Sequence, residues 1–286
     1  MYEIFNVGAV RGSEAFLLIN DNSTALIDSG FAFCADEMIA NIEKRLNGSK
    51  LDNILLTHSH YDHALAVPYI KRHFPNVKVV AGEYTKKIFE KPSAKALMWE
   101  LDQKFARKNG ISEYDNLSDE LAVDIPVCDG EIICAGNMKF RALSLPGHTK
   151  CSFGYYLESE DMLLSSESLG VYTLEKTVIP SYLVGYKMSL DSIDRIIGLH
   201  PEKILIPHYG LVCGEEAADY LANARHSAVE TCAEIARILK AQGSHETAIE
   251  FFKSKFYKGS VLDSYPIDAF YLNTSITIRL IEKELL

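Results

Sequence analysis

Three histidines and an aspartate fall within six positions, His58-Ser59-His60-Tyr61-Asp62-His63, directly behind the apolar run Ile54-Leu55-Leu56. No other stretch restricts the fold as strongly. In a loop leaving a strand end, His58 and His60 project to one side, and once the chain turns Asp62 and His63 are placed to meet a second ion. Imidazole together with carboxylate suits zinc, iron or manganese. The plain alternative is a polar turn with incidental histidines. In a chain with nine histidines, an H-x-H-x-D-H run arises by chance about once in a thousand such sequences. Four ligands from one loop cannot complete two metal sites, so other strand ends must deliver further His or carboxylate side chains.

The sequence supplies candidates. His148 follows the alternating segment Phe140 to Leu145 in Leu145-Pro146-Gly147-His148-Thr149, and His208 follows the apolar strand signal Ile204-Leu205-Ile206. Glu167 comes after the short apolar run Leu163-Leu164 and the pair Ser165-Ser166. All share one grammar, a short strand with a ligand at its exit. His73, His200, His226 and His245 lack partner ligands at metal spacing and are expected as surface or capping residues. Tyr61 and Tyr209 stand beside candidate ligands, where packing is the commoner role of a tyrosine.

Strand signals rich in Ile, Leu, Val and Phe cover Tyr2 to Val7, Ala15 to Asn20, Thr24 to Asp28 and Asn53 to Leu56. Met38, Ile39, Ile42 and Leu46 recur at helical spacing, and Asn47-Gly48 marks the end of that helix. A helix ending before Pro75, a strand from Val77 to Ala81 and a charged helical insertion or lid at 84–124 follow. Strands return from Pro126 to Ser166, with turns at Asp129-Gly130 and Gly136-Asn137. A helix at 189–199, the strand Lys203 to Ile206 and about three C-terminal helices complete the chain. Alternation is not regular enough for a βαβ parallel sheet, so the expected fold class is α/β (α+β): two sheets sandwiched between helices.

Lys and Arg total 29 against 39 Asp and Glu, a net charge of -10. A broad phosphate-tracking surface is therefore not expected, and nucleic acid is a poor candidate partner. Six scattered cysteines without a C-x-x-C pair point to a reducing compartment. With no apolar run of about 18 residues and no leader-like start, the expectation is a cytoplasmic protein with no membrane partner.

The H-x-H-x-D-H run, the Gly147-His148-Thr149 histidine, an acid at 167 and the final His208 together resemble the metallo-β-lactamase superfamily over about residues 24 to 210. The resemblance implies an αββα sandwich of two mixed β-sheets in a domain spanning 1–213, with a C-terminal helical extension at 214–286 packing on it. It implies a dinuclear site in which His58, His60 and His148 hold one metal, Asp62, His63 and His208 the second, and Glu167 bridges them. Asp28, in Leu26-Ile27-Asp28-Ser29-Gly30, matches the acid that orients the histidine loop. One departure stands out: the bridging acid of the family is normally Asp in a G-D context, whereas this chain has Ser166-Glu167. A glutamate pointing to solvent is the competing reading.

The implied cofactors are two divalent ions, zinc first, with iron or manganese as alternatives. Such a pair lowers the pKa of a shared water toward neutrality, and metal-bound hydroxide then serves a hydrolase, with Asp62 orienting the water. No G-x-S-x-G elbow or Cys-His nucleophile context accompanies the motif, so a covalent route is not needed. The flavodiiron branch requires a carboxylate where His60 stands, which disfavours redox chemistry of that kind. The 90 residues from His58 to His148 and 19 from His148 to Glu167 are similar to the glyoxalase II-like and quinolone-signal thioesterase-like members. The implied substrate is a small thioester, lactone or other ester. Two other classes compete: a mononuclear iron oxidoreductase of the sulfur dioxygenase type, and a non-catalytic metal-containing ligand-binding protein. A homodimer is left open.

Overall fold

The computed structural model describes residues 2–21, 23–241 and 243–286. The chain resolves into two compact units, Met1–Ser144 with Phe153–Leu164, and Leu145–Ser152 with Ser165–Leu286.

The first unit begins with β1 (Tyr2–Asn6), β2 (Phe16–Asn20) and β3 (Ser23–Ile27), an antiparallel meander. Helix α1 (Ala35–Leu46) then leads to β4 (Asn53–Leu55), and α2 (Tyr61–Ala64) with α3 (Val67–His73) to β5 (Lys78–Gly82). Helices α4 (Glu83–Phe89) and α5 (Pro92–Lys108) precede β6 (Ile125–Val127). Strands β3, β4, β5 and β6 pair in parallel, in sequence order. The expectation of no βαβ alternation is therefore corrected: three crossovers follow one another here. Their pattern is faint because β4 and β6 are three residues each, too short to show a period, and because the histidine motif occupies the start of one crossover helix. The 84–124 segment is helical and forms the last crossover.

Helix α1 forms where the apolar spacing predicts. Asp36 and Glu37 stand in its first turn, Lys44 and Arg45 in its last, and Asn47 closes it in the left-handed conformation at φ 46°. Its Met38, Ile39, Ile42 and Leu46 join Leu17, Leu26, Ile54 and Val79 of the sheet in one buried cluster. Strands β7 (Ile132–Ala135), β8 (Met138–Ser144), β9 (Phe153–Leu157) and β10 (Met162–Leu164) form an antiparallel second layer in this unit. The layers meet closely at the exit of β4: Phe153 N donates to Thr57 O and Tyr155 Oη to Leu56 O, both at 2.8 Å. A Cβ on Gly82 would fall 2.4 Å from the Phe153 ring, so this position admits no side chain without displacing the ring.

The second unit contains the hairpin β11 (Val171–Tyr172) and β12 (Val178–Ile179), helix α6 (Tyr186–Leu199), and the hairpin β13 (Lys203–Ile206) and β14 (Gly210–Cys213). Helices α7 (Glu215–Lys240), α8 (His245–Phe256), α9 (Val261–Ser264) and α10 (Ile267–Leu285) follow. The three expected C-terminal helices are present, with the single turn α9 added between the last two. Among the described residues, no helix is long and apolar enough to cross a membrane.

Helix α5 carries a buried carboxylate. Asp102 accepts from Ala32 N at 2.9 Å and from Tyr114 Oη at 2.7 Å, beside Phe31, Phe33 and Phe105. Burial, partly offset by these donors, pushes its pKa up to about 6. Between about pH 4 and 6 the folded chain thus holds a proton that the unfolded chain releases, and stability falls as pH rises through this window. Asp102→Asn is expected to reduce the loss of unfolding free energy between pH 4 and pH 7 by up to about 3 kcal/mol. Urea denaturation at the two pH values measures it, and an unchanged difference would mean that Asp102 is not the group responsible.

Candidate metal centre

Within the first unit, the exit of β4 turns sharply into α2, and this turn gathers His58, His60, Asp62 and His63. The imidazole centroids of His58 and His60 lie 4.5 Å apart, and those of His58 and His63 4.1 Å. Ligand atoms of His58 and His60 come within 4.8 Å of each other, as do those of Asp62 and His63. His58 and His63 are buried, and His60 and Asp62 half-buried. Imidazoles so crowded would repel if charged. The cluster suits neutral rings offering lone pairs to one or more cations.

Asp28 sets the orientation of this loop. It sits at the end of β3, buried, with φ 58°, in the left-handed region that Asp tolerates better than most residues. Its Oδ1 accepts from Thr57 N at 2.7 Å, and its Oδ2 from Thr57 Oγ1 and His63 Nδ1, each at 2.8 Å. Thr57 Oγ1, its own proton committed to Asp28, accepts from His58 Nδ1 at 3.0 Å. Both histidines are thereby assigned the Nδ1–H tautomer, which makes Nε2 the candidate donor atom. Ser29 N and Oγ also donate to His63 O, at 2.7 and 3.0 Å.

Within the second unit, His148, Glu167 and His208 come together. Gly147, at φ 145°, has no room for a Cβ, which would fall 2.6 Å from Ser189 Cα, and its carbonyl accepts from Leu183 N and Val184 N at 3.0 Å. His148 N donates to Ser168 Oγ at 3.1 Å. His148 Nδ1 is held by Ser181, with Oγ at 2.8 Å and the carbonyl oxygen at 3.0 Å, so Nε2 is again the atom presented. Glu167 is buried. Its Oε2 lies 3.4 Å from His148 Nε2 and its Oε1 3.0 Å from His208 Nε2. The solvent-pointing reading is at odds with that placement. His208, separated from the end of β13 by Pro207, is left-handed at φ 60°, and the adjacent Tyr209 ring packs at a tilt against Tyr172, which packs on Tyr220. Tyr209 thus has a packing role.

The remaining histidines behave as expected. His73 pairs with Glu43 at 2.7 Å, His245 with Glu282 at 3.0 Å and His226 with Glu230 at 3.8 Å, while His200 ends α6 in the left-handed conformation. The parts the sequence does not announce are Thr57, Ser181 and Asp102. A threonine immediately before the first histidine is a weak signal for the first, and no motif marks the other two.

Residues 8–208 match the sequence profile of the metallo-beta-lactamase superfamily, and the chain belongs to that family. It is 25% identical over 203 residues to the metallo-beta-lactamase fold-containing protein ST1585 of Sulfurisphaera tokodaii, covering 67% of this chain and 76% of that relative. It is 26% identical over 209 residues to the hydroxyacylglutathione hydrolase GloC of Haemophilus influenzae, covering 73% and 90%. The crystal structure of a metallo-beta-lactamase family protein from Thermus thermophilus shares the fold, with a TM-score of 0.65 and 20% identity over 99% of this chain and 93% of that one. The profile match defines the class of the protein, a member of the metallo-beta-lactamase superfamily with relatives named hydroxyacylglutathione hydrolases. The donor sets fit divalent cations by their own chemistry, since each cluster combines imidazole nitrogens with a carboxylate.

Asp28→Asn keeps the volume but replaces one accepting oxygen by a donor. It is expected to weaken divalent-metal binding about 10- to 100-fold. Competition against a chromophoric chelator measures the loss, and wild-type affinity would show that the His63 contact is dispensable.

Proposed function

We propose that the two donor clusters serve one dinuclear centre of a hydrolase acting on a small thioester, lactone or other ester. In this reading His58, His60 and His148 hold one divalent ion, Asp62, His63 and His208 hold the second, and Glu167 lies between them. The observation that carries it is the Glu167 carboxylate, which turns one oxygen toward Nε2 of His148 and the other toward Nε2 of His208. These histidines belong to different proposed ion sites. Zinc suits the set best, with iron and manganese as alternatives. Two such ions, when bound, supply Lewis acidity and lower the pKa of a shared water toward neutrality.

The protein's own residues do the rest. Asp28, through Thr57, fixes the imidazoles of His58 and His63, and Ser181 fixes that of His148, so that little reorganisation is needed on binding. Asp62 is half-exposed and close to His63, with Oδ2 3.6 Å from its Nε2. We assign Asp62 to orient the attacking water and to hold its proton at a carboxylate oxygen. Residues 1–213 form the catalytic part and 214–286 an extension of it. Similarity to relatives named hydroxyacylglutathione hydrolases favours a thioester within this substrate range. The acidic charge balance favours a small-molecule substrate over nucleic acid. We place the protein in the cytoplasm, acting away from membranes, as a monomer or a homodimer.

Elemental analysis of the metal-replete protein is expected to find two ions per chain. His148→Ala should lower this by about one equivalent, since it removes one of three ligands, and should abolish release of thiol from acyl-thioester substrates. Glu167→Gln should weaken at least one ion about 10- to 100-fold, whereas Glu167→Asp should retain the site in part. Unchanged stoichiometry and rate in Glu167→Gln would replace the dinuclear reading with a mononuclear one.

A further inference from the structure

Ser181 lies in the segment between β12 and α6, nine-tenths buried. Its Oγ stands 2.8 Å from His148 Nδ1 and its carbonyl oxygen 3.0 Å from the same atom, so both oxygens accept from Nδ1–H. The hydroxyl proton is then available for Glu167 Oε2, 3.5 Å away, at the outer reach of a hydrogen bond. The loop after β4 is built in the same way, with His58 Nδ1 linked through the Thr57 hydroxyl to Asp28. In both places a hydroxyl connects an imidazole to a carboxylate. The difference lies in the carboxylate. Asp28 stands behind the imidazoles, whereas Glu167 also faces His148 Nε2 and His208 Nε2.

We propose that Ser181 is a positioning residue that sets the Glu167 carboxylate against His148, and that it is the partner required by glutamate at this position. An aspartate would draw both carboxylate oxygens back by one methylene and out of reach of the hydroxyl, leaving Ser181 only its contact with the imidazole. The proposal rests on the reading of His148 and Glu167 as metal ligands. It adds a residue that no ligand motif marks.

A double-mutant cycle tests it, with Zn2+ alone as the probe and a chromophoric chelator as competitor. Ser181→Ala is expected to weaken Zn2+ binding about 10- to 100-fold in the chain that carries Glu167, the usual cost of losing an outer partner of a ligand. In the Glu167→Asp background the same change should cost several-fold less, because only the hydroxyl contact with the imidazole is left to lose and the Ser181 carbonyl oxygen still accepts from Nδ1. Ser181→Thr keeps the hydroxyl and should restore binding. Its extra methyl has somewhere to go, since Ser181, Ile179 and Thr274 line a cavity of about 10 Å³, room for roughly one water. Equal losses in the two backgrounds, or no loss in either, overturn the proposal.

A second readout needs no metal. In the metal-free protein the His148 Nδ1–H resonance should move on Ser181→Ala, as one of its two acceptors is lost, and return in Ser181→Thr. A wild-type chain that takes up no Zn2+ would overturn the metal-centre reading. Ser181 is then judged on this resonance, and a signal unmoved by Ser181→Ala overturns the positioning role independently.

Discussion

The buried carboxylate of Asp28 is the contact on which the arrangement of the first donor cluster depends. One side chain at the end of β3 accepts from the backbone and hydroxyl of Thr57 and from the imidazole of His63. The parallel pairing of β3 with β4 brings Asp28 and Thr57 to adjacent strand exits. Sheet register and imidazole tautomer are thus fixed by the same group. A buried carboxylate is costly unless fully hydrogen-bonded, and here both oxygens are engaged. The same logic explains Asp102, whose charge is disfavoured by burial but which ties α5 to the loop following β3.

The candidate donors are legible in the sequence because they obey a local rule. A short apolar strand with His, Asp or Glu in the turn that leaves it is visible without knowing how strands pair, and His58, His60, Asp62, His63, His148, Glu167 and His208 all follow that pattern. Helix α1 is equally legible, since a 12-residue element has room to display its period and its cap. The parallel half of the first sheet is not. Strands of three residues carry no period, and β6, with its exposed Ile125 and Pro126, reads as a turn as easily as an edge strand. Strand β14 is hidden for a similar reason, since its four residues, Gly210–Cys213, are too few to show a period.

Support for the donors is harder to read than the donors themselves. Thr57 and Ser181 act through single hydroxyls, and a chain with many serines and threonines gives no sign of which ones face an imidazole. Their roles come from tertiary placement: Ser181 is 33 residues from His148 in sequence, and Asp102 is 70 from Ala32. Glu167 lies between these cases. Its position can be named from the sequence, but the direction of its carboxylate depends on the turn of 3-10 helix from Glu167 to Leu169 that carries it and on the contact with Ser181 proposed above.

Asp28 and His208 share a further property: both leave a strand with φ near 60°. Left-handed backbone is disfavoured for most side chains and especially for β-branched ones, while Asp, Asn and His visit it several-fold more often than average. The usable alphabet at these two positions is therefore narrowed twice, by the polar contacts of the side chains and independently by the peptide geometry of a sharp strand exit. Exchanges among Asp, Asn and His there test side-chain chemistry on a backbone that stays put. A valine or isoleucine would change the path of the chain as well, and its effect could not be read as the loss of a polar group alone.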